Sequence, residues 1–167
     1  CWIRYQTDSE RIGCYNGFGE GYTEKVMAVY TTQFWTGKEP WGVPLPSGYE
    51  LVNKLHDKDV PGWDYSWPGH PTSQKFPIPV YSTLSGTTST FVDGVGNNVI
   101  VIRNDSWEVG YLHMDRVDVV NGQSVLWGQK IGIMGNIGRS DFTHVHYWIK
   151  NRQTGEFVQD QSSWYIP

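Results

Sequence analysis

The seven residues HVHYWIK (144–150) place two histidines one residue apart in a segment that reads as a β-strand. Side chains alternate along a strand, so His144 and His146 should project from the same face with their Cβ atoms roughly 6–7 Å apart. Two imidazoles at that distance can share one metal ion or flank it. A solvated strand face would carry the same pattern, so the interpretation depends on other residues.

A third histidine and one aspartate occupy positions beside predicted turns. His113 ends the alternating stretch WEVGYLH (107–113), and Asp64 lies in PGWDYSWP (61–68) before a proline-bounded turn. Imidazole nitrogens and carboxylate oxygens are ligands that zinc prefers, and three protein ligands leave one position open for water. Together with the His-x-His pair, these residues form a candidate zinc site on a β scaffold.

The composition narrows the class of protein. The formal charge is −4 and the 13 Lys and Arg residues form no cluster, which argues against nucleic acid or an anionic membrane as a partner. No apolar run is long enough to span a bilayer. Nineteen Gly, nine Pro, ten Tyr and nine Trp describe strands and turns rather than helices. The sequence is equally compatible with one disulfide bridge between Cys1 and Cys14 and with two free thiols.

Strand-like segments dominate the chain from residue 78 onward. They carry alternating or short apolar patterns separated by turn residues, and they cover 79–86, 97–104, 107–114, 128–135 and 144–150. This spacing predicts an all-β fold, mainly an antiparallel sheet. The Gly- and Pro-rich stretch 36–49 reads as a linker, so we expect a domain at 50–167 and an N-terminal extension of unknown role at 1–49. Four apolar residues should be buried on the core side, namely Val99, Val101, Val109 and Ile131.

In order and spacing, these motifs resemble the lysostaphin-type zinc endopeptidases, which cut the peptide part of bacterial cell-wall peptidoglycan. The resemblance runs from about Gly62 to Lys150. It is carried by GWDYSWP (62–68), PVYSTLSG (79–86), GVGNNVIVI (94–102), YLH (111–113) and GQKIGIMGNIGRSDFTHVHY (128–147). Each motif alone is weakly specific, and it is their shared order and matching gaps that make the resemblance strong.

Carried over residue by residue, the resemblance implies a lysostaphin-type fold with Asp64 and His146 as zinc ligands. It implies Zn²⁺ as the cofactor, bacterial peptidoglycan as the substrate, and His113 and His144 as the catalytic pair. His144 would then accept a proton from water while its neighbour in the strand holds the metal. His113 would orient that water or stabilise developing charge, and would later help to protonate the leaving amine.

The family's remaining ligand, a histidine four residues before the aspartate, is Val60 in this chain. Valine cannot bind zinc, so either another histidine takes its place or the site is inactive. His56, eight residues before Asp64, is the preferred candidate because a polar loop could bring it back to the metal. His70 is the second candidate. The alternative function is a degenerate, non-catalytic module for cell-wall binding or assembly.

A second departure lies directly before the His-x-His pair. The family's Ser-Thr-Gly-Pro is Ser-Asp-Phe-Thr here (140–143). Phe142 and Thr143 therefore replace a glycine and a proline, and we expect them to change the wall of the groove.

The implied substrate lies outside the cytoplasm. Such a protein would act as an extracellular lysin, as an envelope protein or as the wall-cutting tip of a bacteriophage tail, with other virion or envelope proteins as partners. A chain that begins at Cys1 is expected to be a mature product or a piece of a longer protein.

Overall fold

The computed structural model describes residues 43–45, 49–68 and 77–159, and all regular structure in this part of the chain is β-strand. The predicted all-β fold is therefore confirmed. The strands in chain order are β1 (Glu50–His56), β2 (Gly62–Ser66), β3 (Pro79–Tyr81), β4 (Gly86–Val92), β5 (Asn98–Arg103), β6 (Trp107–Leu112), β7 (Arg116–Val117), β8 (Ser124–Val125), β9 (Lys130–Ile133) and β10 (Val145–Asn151).

The strands form two sheets. The larger has seven strands in the order β1-β2-β10-β6-β5-β4-β8, and the smaller has three in the order β3-β9-β7. Every strand pair is antiparallel. The last strand, β10, lies between β2 and β6, so the C-terminal part of the domain pairs with its N-terminal part through the middle of the sheet.

Apolar side chains from both sheets pack into one main core. Val80 of β3 and Ile131 of β9 join residues of the larger sheet that include three fully buried tyrosines, Tyr65, Tyr111 and Tyr147. Burial raises the pKa of Tyr111 to about 12, so its hydroxyl stays protonated. These aromatic rings account for part of the unusual tyrosine content of the sequence.

A second, smaller cluster lies on the opposite face of the larger sheet. All four valines and isoleucines predicted to be buried are buried, but they do not share one core. Val109 and Ile131 belong to the main core, whereas Val99 and Val101 pack with Trp148 on the other face. The expectation of a single core side was wrong because β5 is a central strand covered on both faces, where successive residues can all be apolar.

The same outer face carries the candidate site residues. Tyr147 lies in the main core and Trp148 in the second cluster, so alternation along β10 turns His146 towards the outer face. His146 pairs with Asp64 of β2 on one side and with Leu112 of β6 on the other. His113 follows directly after β6. Three neighbouring strands therefore deliver residues to one place.

Several predictions concern residues outside the described part of the chain. These include Cys1, Cys14, His70 and the N-terminal extension at 1–49, of which only residues 43–45 and 49 are described. Strand β1 begins at Glu50, the residue where the domain was predicted to start. Among the described residues, no helix has the length and apolar character needed to cross a membrane.

Thr83, in the turn between β3 and β4, links two of the buried tyrosines. Its hydroxyl lies 2.9 Å from the hydroxyl of Tyr111 and 2.7 Å from that of Tyr147. Replacing Thr83 by valine should lower the free energy of unfolding by about 1–3 kcal/mol, because both hydroxyls lose a buried partner. Urea unfolding followed by tryptophan fluorescence measures this loss. Thr87→Val, the same change at an exposed position of β4, should stay within about 0.5 kcal/mol of wild type.

Candidate metal centre

Asp64 lies at the middle of the candidate centre and is almost completely buried, with 4% of its side chain exposed. Its Oδ1 is 2.9 Å from His146 Nδ1 and 3.5 Å from His144 Nε2. Its Oδ2 accepts a hydrogen bond of 2.8 Å from Asn53 Nδ2 and lies 3.3 Å from His56 Nε2. Both carboxylate oxygens are therefore surrounded by nitrogen atoms.

Those neighbours keep the carboxylate ionised. Burial alone would raise the pKa of Asp64, but the hydrogen bond to His146, the nearby His144 and the hydrogen bond from Asn53 together hold it below its ordinary value. An ionised carboxylate in a buried position is a strong ligand for a divalent cation.

His56 reaches this centre from a strand rather than from a loop. It is the last residue of β1 and pairs with Gly62, while Asn53 pairs with Asp64. His56 is three residues after Asn53, whereas their partners Gly62 and Asp64 are only two residues apart. The extra residue in β1 is a β-bulge, and it turns both Asn53 and His56 towards the same carboxylate. The expected polar loop exists at 57–61, but it connects the two strands and does not carry the histidine. The side chain of His56 is 41% exposed.

The orientation of His146 is fixed by the hairpin loop between β1 and β2. Its Nε2 donates to the carbonyl oxygen of Val60 over 2.9 Å, which leaves Nδ1 directed at Asp64. Burial alone would lower the pKa of His146, but the bonds to Asp64 and to the Val60 carbonyl raise it. Gly62 makes room for this ring, because a Cβ at that position would collide with Nε2.

His113 and His144 lie beside the carboxylate and face each other, with ring centroids 4.5 Å apart. His113 Nδ1 donates to the carbonyl of Ile137 over 3.0 Å, and His144 Nδ1 donates to the carbonyl of Phe142 over 2.9 Å. A carbonyl can only accept, so Nδ1 of each ring carries a proton. In the neutral form, Nε2 of each ring is then the basic nitrogen.

Burial favours that neutral form. Desolvation and the neighbouring His144 lower the pKa of His113 to about 4, although its bond to the Ile137 carbonyl opposes the shift. Desolvation also lowers the pKa of His144, against the attraction of Asp64. The site thus contains two neutral imidazoles that can accept a proton at Nε2.

The donor set fits zinc. His56, Asp64 and His146 each offer one ligand atom, and these atoms all lie within 4.8 Å of one another. Bonds of about 2.0–2.2 Å in a tetrahedron separate neighbouring ligands by roughly 3.3–3.5 Å. His146 Nδ1 lies 2.9 Å from Asp64 Oδ1 and His56 Nε2 lies 3.3 Å from Asp64 Oδ2, so each nitrogen is close to that distance from one of the two carboxylate oxygens. Two imidazoles and one carboxylate also match the chemistry of catalytic zinc sites.

The structure therefore brings together all five residues predicted from the sequence, and it adds contacts that the sequence did not predict. These are the Asn53 side chain, the Val60 carbonyl, Ser140, and the ring and carbonyl of Phe142. Ser140 Oγ lies 3.2 Å from His144 Nδ1, and the Phe142 ring stacks on His144 with centroids 4.4 Å apart. Phe142 was expected to change the wall of the groove, which stays a prediction; its ring stacks on His144 and its carbonyl accepts from Ser140 Oγ and His144 Nδ1. A contact made by a main-chain carbonyl cannot be recognised from the residue type. Ser140 and Phe142, however, lie just before His144 in the sequence, and that proximity could have indicated them.

Comparison with known proteins agrees with this geometry. The model of Peptidase family M23 matches residues 67–159, which is more than half of the chain. The chain therefore belongs to peptidase family M23, whose members depend on zinc. The matched range includes His113, His144 and His146. It begins three residues after Asp64, so His56 and Asp64 lie outside it.

Particular relatives include a peptidoglycan endopeptidase and a lipoprotein. Peptidoglycan DD-endopeptidase ShyA of Vibrio cholerae is 34% identical over 84 residues, which is 48% of this chain but only 20% of ShyA. Lipoprotein NlpD of Yersinia enterocolitica is 32% identical over 75 residues, or 43% of this chain and 76% of NlpD. The crystal structure of a zinc-containing peptidase from Vibrio cholerae has a TM-score of 0.60 at 27% identity, covering 72% of this chain and 39% of that one.

Replacing His56 by alanine tests the donor from β1. We expect zinc affinity to fall by more than the roughly 10- to 100-fold typical of residues that only hydrogen-bond a ligand, because one of three protein donors is lost. Competition with a chromophoric chelator measures the affinity. His113→Ala, which removes an imidazole that is not a donor, is the matched control, and His70→Ala should also keep zinc. Wild-type affinity in His56→Ala would exclude His56 as a ligand.

Proposed function

We propose that this protein is a zinc-dependent endopeptidase that hydrolyses stem peptides or cross-links of bacterial peptidoglycan. The observation that carries the proposal is that candidate metal donors and candidate proton acceptors lie together at Asp64. Three donors converge there from β1, β2 and β10, and two neutral imidazoles lie directly beside them. Membership of family M23 and the similarity to ShyA support peptidoglycan as the substrate.

His56, Asp64 and His146 would hold the metal, each through the atom that faces the other two. Zinc bound there would supply a Lewis acid that polarises a peptide carbonyl and lowers the pKa of water towards about 7. The bonds from Asn53 to Asp64 and from His146 to the Val60 carbonyl would keep the ligand atoms in place.

His144 is the better placed of the two remaining histidines to act as general base. Its Nε2 is 3.5 Å from Asp64 Oδ1, while its Nδ1 proton is held by the Phe142 carbonyl. A ring fixed in this way can accept a proton from a nucleophilic water at Nε2 and hold it as an imidazolium beside the Asp64 carboxylate. The stacked ring of Phe142 restricts rotation of the imidazole and excludes water from one face.

His113 would act beside His144, on the same side of the metal. Its ring centroid is 4.5 Å from that of His144 and 6.5 Å from that of His146. From there His113 could orient the attacking water or stabilise charge on the tetrahedral intermediate, and it could pass a proton to the leaving amine. Because burial keeps the pKa of His113 at about 4, the ring starts neutral, and the proton that it passes to the amine would be one taken up at Nε2 from the attacking water.

Peptidoglycan lies outside the cytoplasm, so we propose that the protein acts there, in the bacterial envelope, as a secreted lysin or on a bacteriophage particle. Other envelope or virion proteins would be its partners in those settings. The peptidase domain would run over 50–167, with 1–49 as an extension whose role we leave open.

Alanine substitutions of His144 and His146 should have different effects on hydrolysis and on zinc content. His144→Ala should lower the rate of peptidoglycan hydrolysis by about 10²- to 10⁴-fold, because it removes the general base, while zinc content stays near that of wild type. His146→Ala should lose both activity and zinc. Release of dye-labelled peptidoglycan fragments measures hydrolysis, and elemental analysis of protein purified without chelators measures zinc.

The opposite pattern, with zinc lost in His144→Ala and kept in His146→Ala, would reverse the two assignments. Chelation of the wild-type protein should abolish hydrolysis, and added zinc should restore it. A wild-type protein that binds peptidoglycan but never hydrolyses it, with or without zinc, would favour the non-catalytic wall-binding module.

A further inference from the structure

His113 depends on a loop for its orientation. Among the described residues, the His113 ring is hydrogen-bonded through Nδ1 to the carbonyl of Ile137, and Ile137 lies in an exposed segment between β9 and β10. His113 itself has a positive φ of 64°, which is unfavourable for a residue with a Cβ. A strained residue held by an exposed loop needs further support to keep one position.

That support comes from Asn97, a buried residue directly before β5. Its Oδ1 accepts a hydrogen bond of 3.1 Å from the backbone N–H of Arg139, two residues after Ile137. Between them, Gly138 packs against the Asn97 amide so closely that a Cβ would overlap with it, and its φ is +83°. The Asn97 side chain therefore fixes the path of the loop at the point where it presents the Ile137 carbonyl.

Asp93, at the start of the β4–β5 turn, fixes the orientation of Asn97. Its Oδ2 accepts from Asn97 Nδ2 over 2.7 Å, and its Oδ1 accepts from the backbone N–H groups of Asn97 and Val95 over 2.9 Å and 3.0 Å. A carboxylate facing the amide nitrogen leaves the amide oxygen directed at Arg139. Burial alone would raise the pKa of Asp93, but these bonds keep it below its usual value.

The neighbouring Asn98 holds Met114, the residue that follows His113. Its Nδ2 donates to the carbonyl of Met114 over 2.9 Å, and the Met114 N–H donates to the Asn98 carbonyl over 3.4 Å. Residues 97 and 98 thus hold the backbone next to His113 as well as the loop that accepts its Nδ1 proton.

We propose that Asp93 and Asn97 act as a pair of positioning residues that hold His113 in its Nδ1-protonated form with Nε2 facing the reaction centre. The catalytic consequence rests on the proposed peptidase function, whereas the effect on the His113 ring does not. Neither residue contacts His56, Asp64 or His146, so the pair acts on His113 without contributing to metal binding.

An exchange of the two side chains tests this pair. Asn97→Asp places two carboxylates face to face. Asp93→Asn leaves one acceptor oxygen for two sets of donors, so residue 93 loses either the 2.7 Å bond from Asn97 Nδ2 or the bonds from the N–H groups of Val95 and Asn97. In the double variant D93N/N97D, the amide of residue 93 can donate to the carboxylate of residue 97, whose other oxygen still accepts from Arg139. Asn121→Asp, at an exposed turn, controls for the added charge.

Two measurements apply to all five proteins, purified without chelators. Nitrogen-15 NMR of the imidazoles, assigned with His113→Ala, reports which ring nitrogen of His113 carries the proton. Hydrolysis of labelled peptidoglycan reports kcat and KM. We expect each single variant to lose the single Nδ1-protonated signal of His113 and to lower kcat by up to about 100-fold with little change in KM or zinc content. The double variant should regain both, and Asn121→Asp should match wild type.

Two results would overturn the proposal. One is an unchanged His113 signal in both single variants, and the other is a double variant no better than the single ones in that signal. If wild type shows no hydrolysis, the proposed function fails, but the NMR comparison still decides whether the pair positions His113. Loss of zinc together with the His113 signal would assign the pair a general structural role and would also overturn the inference.

Discussion

A single buried carboxylate organises this domain's functional face. Removing an ionised carboxylate from water costs several kcal/mol unless its oxygens are paired, so Asp64 can remain charged only if the fold surrounds it with donors or a cation. The fold does so with one residue from β10 and two from β1. The groups that stabilise the charge are largely the groups that would bind zinc. The same arrangement of β1, β2 and β10 therefore keeps the buried carboxylate ionised and would also assemble the metal centre.

Much of this centre could be predicted from the sequence because it depends on strand periodicity. Alternation places His144 and His146 on one face, and the resemblance to lysostaphin-type endopeptidases implied that Asp64 and His113 lie near them. The β-bulge in β1 could not be predicted in this way. In a regular strand Asn53 and His56 would face opposite sides, and only the extra residue between their partners turns both towards Asp64. His56 was identified by its spacing from Asp64, but its setting in a strand was not.

Val60 occupies the position of a usual ligand, and its side chain cannot bind a metal. The backbone at this position accepts the Nε2 proton of His146, a contact that any side chain at residue 60 permits. In the proposed site, the nitrogen donor would instead be His56, which ends β1 opposite Gly62, the residue whose missing side chain admits the His146 ring. The consequence is exposure: the donor on β1, which is the edge strand of the described sheet, is open to solvent, while the other two are buried.

The two classes of histidine are held by different means, and this difference has consequences for how the domain can vary. His56 and His146, the two proposed histidine donors, are residues of β1 and β10, so their positions follow from strand register. His113 and His144 are instead oriented by main-chain carbonyls of residues 137 and 142, in the segment between β9 and β10. A carbonyl contact survives changes of side chain provided that the loop keeps its path. Phe142 and Thr143 can therefore replace a glycine and a proline without removing the acceptor of the His144 proton. What the loop cannot lose is its attachment to the sheet, and Asn97 provides one such attachment.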